Sequence, residues 1–300
     1  MSPIRWSLLG AGPWACMTHV PGLARVAAAG RIELAGVWSR RQRSREAAAA
    51  QLGVSAFDDL DALLALSDAA IVCVVPNAQP ALAIRAAQHG CHLLLEKPLA
   101  LRSRDSAAVA AAVRGAGVCC ETFFTLRYDG TVSAWFTAAA RETWSHATLR
   151  WLTELDYDGS PWKQPGWRGV HGARWDLAPH LLAVALPLFG AVDGVRQHTS
   201  VDGLVTRLEL DHRCGTFSTI EVAHHHPEPT ISLRLTAPGR VTELNFSEID
   251  AVAASAAAID EVTAAAEKKE QPAYGNLDLS VAIVDTLAAA DPGTLADRSS

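Results

Sequence analysis

Lysine is scarce here: the 26 basic residues include only Lys97, Lys163, Lys268 and Lys269, and the rest are arginine. A lysine beside an apolar run is therefore conspicuous. A basic excess is missing too, because 32 acidic residues leave a net charge of -6, and a chain without a positive face has little to hold a phosphate backbone. Nucleic acid is excluded as a general partner. No apolar run approaches the length of a membrane span, and a strand pattern begins at residue 4, which leaves no room for a secretory signal. The expectation is a cytoplasmic protein with no membrane partner. The six cysteines, Cys16, Cys73, Cys91, Cys119, Cys120 and Cys214, lack metal-type pair spacing. They read as reduced core thiols, and no metal is expected. Internal repeats and long low-complexity linkers are also lacking.

What is present is apolar bulk, 49% of 300 residues, enough for two packed domains. The most informative stretch is Leu93-Leu94-Leu95-Glu96-Lys97-Pro98. Three aliphatic residues in a row read as a buried strand, and Pro98 stops it because it has no ladder donor. In an open parallel sheet, ligands bind beyond the carboxyl ends of the strands, where Lys97 would point. Taken alone, Glu96 and Lys97 read equally well as a surface ion pair. Residues 4–9 form an earlier strand, followed by Gly10-Ala11-Gly12-Pro13-Trp14-Ala15 and a helical stretch. This is the Gly-rich dinucleotide fingerprint with Ala in last place: a tight turn at Gly10, close backbone approach at Gly12, and a helix start facing the phosphates. The second strand, 32–38, ends in Ser39-Arg40-Arg41. An acidic residue there would bind the ribose of NAD, whereas a small hydroxyl followed by Arg suits a 2′-phosphate, so NADP is preferred over NAD. The alternative is that these arginines form the solvated face of the next helix.

Strand and helix keep alternating: helix 59–66, strand 69–75, the turn Pro76-Asn77, helix 80–89 closed by Gly90, the strand that ends at Lys97, a helix that Ser103 can cap, and strand 118–124. This is the signature of a doubly wound parallel sheet. After a helix at 131–142, strand-like segments recur at 147–153, 194–200, 204–212, 216–223, 231–237 and 241–246, separated by tight turns. They read as one antiparallel sheet with a face on a core. The fold class is thus α/β, a doubly wound parallel sheet (1–121) followed by an α+β domain (122–300) whose open sheet is mainly antiparallel. A last helix at about 276–289 is able to pack back on the first domain, and a polar tail is expected to fray. Residues 169–173 read as a loop, and Asp176 as the cap of a helix with Pro179 in its first turn. Asp176 and His180 then stand four apart at one helix end, where a carboxylate can orient an imidazole suited to moving protons near neutral pH. Taken singly, they could be a cap and an interior histidine. His171 could touch substrate or only cover the loop. Trp162, Trp167 and Trp175 could offer a flat wall to a sugar-like ring, or be core. His224-His225-His226 reads as a solvated loop rather than a metal site.

Together these motifs resemble the glucose-fructose oxidoreductase/inositol dehydrogenase (Gfo/Idh/MocA) family. The likeness is carried by Gly10 to Ala15, Pro76-Asn77, Glu96-Lys97-Pro98, Phe124-Thr125-Leu126-Arg127-Tyr128 and Gly172-Ala173-Arg174-Trp175-Asp176-Leu177-Ala178-Pro179-His180. It departs at Pro80, where the family usually has His, at Ala178 for a common Gly, and at Ala183 for a frequent Asp. The resemblance implies a Rossmann domain, a second domain with an open sheet through which copies form a homodimer or homotetramer, and hydride transfer between a nicotinamide cofactor and a sugar, polyol or related small molecule. It implies that Lys97 binds the reacting oxygen, that His180 is the acid/base and that Asp176 positions substrate or His180. Gly10, Gly12, Pro13, Trp14, Ser39, Arg40, Arg41, Pro76, Asn77, Glu96 and Lys97 are then the candidate cofactor contacts. Arg127, Trp167, Arg168, His171 and Trp175 are the candidate substrate contacts. The rival readings are a nucleotide-binding regulator without chemistry and a redox-neutral glycoside-cleaving enzyme.

Overall fold

Continuous aliphatic runs become strands once helices can cover both faces of a sheet. In the computed structural model, which describes residues 3–162, 166–246, 249–272 and 276–290, such runs, with shorter segments at the edges, give six strands of one sheet. They are β1 (Ile4–Leu9), β2 (Ile32–Trp38), β3 (Ala56–Phe57), β4 (Ala69–Val72), β5 (His92–Leu95) and β6 (Cys120–Thr122), in the order β3-β2-β1-β4-β5-β6. Every pairing is parallel, and the order reverses at β1, which opens a crevice beyond the carboxyl ends of β1 and β4. The connecting helices are α1 (Val20–Ala28), α2 (Gln42–Leu52), α3 (Leu60–Leu64), α4 (Gln79–Gln88) and α5 (Ser103–Ala116). One capping expectation is corrected: Arg102 is the residue before α5, and Ser103 is already inside it without a side-chain cap bond.

The chain divides into two compact units, Met1–Tyr128 with Asp250–Val281, and Asp129–Ile249 with the residues from Ala282 onward. In the second, α6 (Gly130–Ala139) precedes a six-stranded sheet of β7 (His146–Glu154), β8 (Val192–Thr199), β9 (Thr206–His212), β10 (Phe217–Ala223), β11 (His225–Ala237) and β12 (Arg240–Phe246). The sheet is mixed and mostly antiparallel, as β7 and β10 run parallel in the order β12-β11-β7-β10-β9-β8. Alternation is visible along its strands: Ala147 and Leu149, Leu208 and Leu210, Leu233 and Leu235 are buried, while the adjacent Arg150, Arg207 and Arg234 are exposed. The helices α7 (Gly166–Asp176) and α8 (Ala178–Phe189) lie between β7 and β8 in sequence, and α8 is apolar almost throughout. Residues 169–173, expected as a loop, are mostly helical. Only Gly172 leaves helical geometry, at φ 70 and ψ -177, and a Gly elsewhere in a helix costs only about 1 kcal/mol.

The helix α9 (Ala251–Lys268) belongs with the first unit, where Ala254, Ala258, Ile259 and Val262 share a core with Trp6, Leu8, Leu23 and Val26. Trp6 Nε1 donates to Thr263 Oγ1 at 3.1 Å. Close approach of α9 to α1 needs small residues: a Cβ on Gly22 would lie 2.7 Å from Ser255 Oγ. The cysteines are free thiols, buried at Cys73, Cys91, Cys119 and Cys120, with Cys214 exposed. No described helix is long and apolar enough to cross a membrane. The polar tail beyond residue 290 lies outside the described residues.

Candidate active site

In the first unit the Gly-rich turn sits at the switch point. Gly10 has φ 109, its N donates to Trp38 O at 2.8 Å, and an added Cβ would lie 2.0 Å from Cys73 O. Only glycine fits there, squeezed between the ends of β2 and β4. Gly12 and Pro13 are exposed, and an added Cβ at Gly12 meets nothing within 4 Å. That open backbone, leading into a helix start, suits the pyrophosphate of a dinucleotide. At the end of β2, Ser39 is buried and its Oγ donates to Arg41 O at 3.2 Å. Arg45 Nη1 holds Ser39 O at 3.3 Å, and Arg40 and Arg41 are exposed. At the end of β4, Pro76 is buried and Asn77 exposed in the turn before α4.

The helix after the turn opens with a π-turn over Ala15–His19. With i→i+5 bonding, residues five apart share a face, so Trp14 and His19 both reach Glu96. Trp14 Nε1 donates to Glu96 Oε1, and His19 Nε2 lies 2.8 Å from the same oxygen, while Glu96 Oε2 accepts from the backbone N of Lys97 at 3.1 Å. His19 Nδ1 is 2.8 Å from Ser255 Oγ on α9. Gln79, the first residue of α4, completes the frame. Its Nε2 donates to the carbonyls of Glu96, Pro98 and Leu99, and its Oε1 accepts from Glu96 N at 3.0 Å. Lys97, 9% exposed, is therefore held on a backbone clamped by Gln79 and by the Glu96 carboxylate. The surface ion pair allowed by sequence is excluded, since both Glu96 and Lys97 are buried. His19 and Gln79 were not singled out by sequence, and nothing in their local pattern marks them.

Below β6, Tyr128 donates to the buried Glu121 Oε1 at 2.6 Å, and burial, then Glu121, pushes its hydroxyl well above the usual range. Arg127 lies half-buried in the same short turn, Thr125–Tyr128.

In the second unit, Asp176 and His180 are both buried. Asp176 is not the expected cap: Leu177 holds that position, and the carboxylate instead accepts from Arg168 Nε at 2.8 Å with His224 Nε2 3.0 Å from the same oxygen. His180 packs on the Trp151 ring at 4.9 Å. The guanidinium of Arg168 packs against two indoles, 4.2 Å from the Trp162 ring and 4.8 Å from Trp167. Trp175 is buried, and His171 is half-buried on α7. His224 corrects the solvated-loop expectation: it is largely buried, whereas His225 is exposed beside Glu154. Alternation could have found it, because Ser218, Ile220 and Val222 point inwards and residue 224 follows in step.

A parallel sheet with a Gly-rich turn at its switch point and a buried lysine on its carboxyl edge defines a nucleotide-binding domain of the oxidoreductase type. Residues 4–124 match the model of the oxidoreductase family with an NAD-binding Rossmann fold, GFO_IDH_MocA. Over those residues the chain is similar to the Gfo/Idh/MocA family. An uncharacterized oxidoreductase of Schizosaccharomyces pombe is 26% identical over 222 residues, which span 70% of this chain and 58% of that protein. Among solved structures, UDP-N-acetylglucosamine 3-dehydrogenase from Acidithiobacillus ferrooxidans superposes with a TM-score of 0.80 at 19% identity, covering 97% of each chain. The myo-inositol 2-dehydrogenase of Lactobacillus plantarum gives 0.82 at 14% identity over 97% of this chain and 98% of that one. These likenesses speak for the fold.

Proposed function

We infer that this chain is an NAD(P)-dependent dehydrogenase, preferring NADP, that interconverts a hydroxyl and a carbonyl on a sugar, polyol or related small molecule. The observation that carries this reading is Lys97, a rare lysine buried at the carboxyl edge of a Rossmann sheet on a backbone clamped by Glu96 and Gln79. When bound, the nicotinamide supplies or accepts the hydride. The chain's own groups handle the oxygen and its proton. The Lys97 amine binds the reacting oxygen and stabilises the negative charge that develops on it. His180, held against Trp151, moves the hydroxyl proton, and Asp176, fixed by Arg168 and His224, positions His180 or the substrate. Ser39 with the exposed Arg40 and Arg41 would receive the 2′-phosphate of NADP. Gly10, Gly12, Pro13, Trp14, Pro76 and Asn77 would shape the rest of the cofactor site, and Arg127, Trp167, His171 and Trp175 contribute to substrate binding. Pairing of copies through the polar outer face of the second sheet completes the reading.

The test is single-turnover oxidation of NADPH premixed with the protein, followed by absorbance against a panel of keto sugars, oxidised polyols and simple ketones. Oxidation by at least one carbonyl compound, matched by the alcohol product, is expected. Tight NADPH binding with no oxidation across the panel, or glycosidic cleavage without net reduction, would overturn it.

A further inference from the structure

We propose that the molecule accepted by the second unit carries an anionic group, a carboxylate or a phosphate, which the outer edge of the Arg168 guanidinium binds. A planar guanidinium presents two faces and an edge of five N–H donors. Here the guanidinium packs against the Trp162 and Trp167 rings, and one donor, Nε, is spent on Asp176. Among the described residues, the terminal nitrogens Nη1 and Nη2 have no hydrogen-bond partner.

An arginine serving only to neutralise a buried carboxylate would be expected to face it with the fork, two parallel bonds to two oxygens. Arg168 instead touches Asp176 edge-on through Nε, on the oxygen that His224 also holds, so Asp176 anchors the side chain without occupying its fork. The side chain is 22% exposed against 5% for Asp176, so water reaches Arg168 more than the carboxylate that anchors it. Contact with two indoles and the Nε bond to Asp176 restrain the side chain before a ligand arrives, which lowers the ordering cost of a two-point hydrogen bond to a carboxylate or phosphate. The indoles then flank the anion with apolar surface, which weakens competing hydration. Calling the bound molecule a substrate rests on the dehydrogenase reading; the binding of the anion does not.

The experiment is calorimetric titration of the full chain, in the presence of NADP, with D-glucuronate, D-glucose 1-phosphate and D-glucose. At least one of the two anions is expected to bind about tenfold or more tightly than glucose, as for a charge-assisted bond. The tighter of the two names the group as carboxylate or phosphate. Arg168→Gln should abolish the preference, and Arg168→Lys, which keeps the charge but not the fork, should retain only part of it. Equal affinity for all three probes, tighter binding of glucose, failure of both anions to bind, or a preference that survives in Arg168→Gln would overturn the inference. The wild-type comparison decides even if a variant fails to fold. Anion binding in a protein that oxidises no NADPH would leave this inference standing and remove the dehydrogenase reading, so the two failures are distinguishable.

Discussion

Glu96 and Asp176 are both buried carboxylates held by side chains from distant parts of the sequence, yet they are used in opposite ways. Glu96 takes Trp14 and His19 on one oxygen and the main chain of Lys97 on the other. Gln79, fully enclosed, binds only backbone groups around it. The first unit therefore spends its polar contacts on fixing the course of the chain from residue 96 to 99, and a single side chain, Lys97, is presented by that frame. Around Asp176 the partners include the side chains of Arg168 and His224, both partly open to water. There the carboxylate fixes side chains, and the main chain follows α7 and α8. Substitution within the first frame should damage folding, and within the second it should damage recognition. Lys97, presented rather than framing, should affect the chemical step and not folding.

The largest effect expected is on that presented group. Lys97→Met keeps most of the volume and apolar stem, so folding and NADPH affinity should be nearly unchanged, while the rate of NADPH oxidation by an active carbonyl compound falls by roughly 10²–10³-fold or more. Stopped-flow absorbance with a parallel cofactor titration separates the two quantities. Full turnover in the variant would remove the assignment of Lys97 and with it the contrast.

Next comes the frame. Gln79→Leu leaves the Glu96 amide and the carbonyls of Glu96, Pro98 and Leu99 without that partner, in a place closed to water. The expected loss is about 2–4 kcal/mol of unfolding free energy, from urea titration of the full chain. If the variant is as stable as wild type but turns over slowly, Gln79 acts on Lys97 directly and the frame is not structural.

These two positions also mark where sequence reasoning succeeded and where it stopped. Five of the six strands of the first sheet were legible because parallel strands covered on both faces favour apolar runs, whereas the two-residue edge strand β3 was too short to leave a pattern, and Lys97 stood out because its run ended in a charge. Gln79 carried no signal: an amide at a helix start looks like any polar residue until the loop it clamps is known. The π-turn at Ala15–His19 was invisible for a related reason, since nothing in the local pattern distinguishes i→i+5 from i→i+4 bonding, yet it is what lets Trp14 and His19 meet one oxygen. The alanine-rich sequence of α9 favours a helix, but it does not say which sheet that helix covers. In the second unit, alternation gave the strands and, carried one step further, would have placed His224 on the inner face. Asp176 was misread as a cap because spacing alone cannot tell a carboxylate that binds the helix start from one claimed by Arg168 and His224.

A smaller effect should appear at the exposed edge of the first unit. Arg40 is free of the frame, so Arg40→Asp should leave stability unchanged and shift the ratio of NADP to NAD affinity by roughly ten- to hundredfold towards NAD, the value of a charge-assisted contact to phosphate. Titration of both cofactors by quenching of tryptophan fluorescence measures the ratio directly, and an unchanged ratio would leave Arg40 as a solvated helix-face residue.

The smallest effect distinguishes the two sheets by their response to acid. Glu221 on β10 stands in register with Arg150 on β7 and Arg207 on β9, and accepts from both, at 2.5 Å from Arg150 Nε and 2.9 Å from Arg207 Nε. Burial pushes its carboxyl up, but the two guanidinium groups outweigh burial and hold it below its ordinary value of 4.5. In the unfolded chain the group takes up a proton first as pH falls. The stabilisation is therefore complete above the ordinary value and is lost as pH drops through the lower folded value. Both arginines are about half exposed, so water screens the pair and the contribution is on the order of 1 kcal/mol or less. Glu221→Gln should remove it at neutral pH and make no further difference in acid. The gap between wild-type and variant urea midpoints should close between about pH 5 and pH 3. Hydrogen exchange of the β10 amides locates the change, and equal protection in β1 and β4 across the same range is expected, because the first sheet carries no such cross-strand triad among its described residues. A gap that persists unchanged at the acid end would show that Glu221 contributes through packing rather than charge, and the two sheets would then differ in pairing alone.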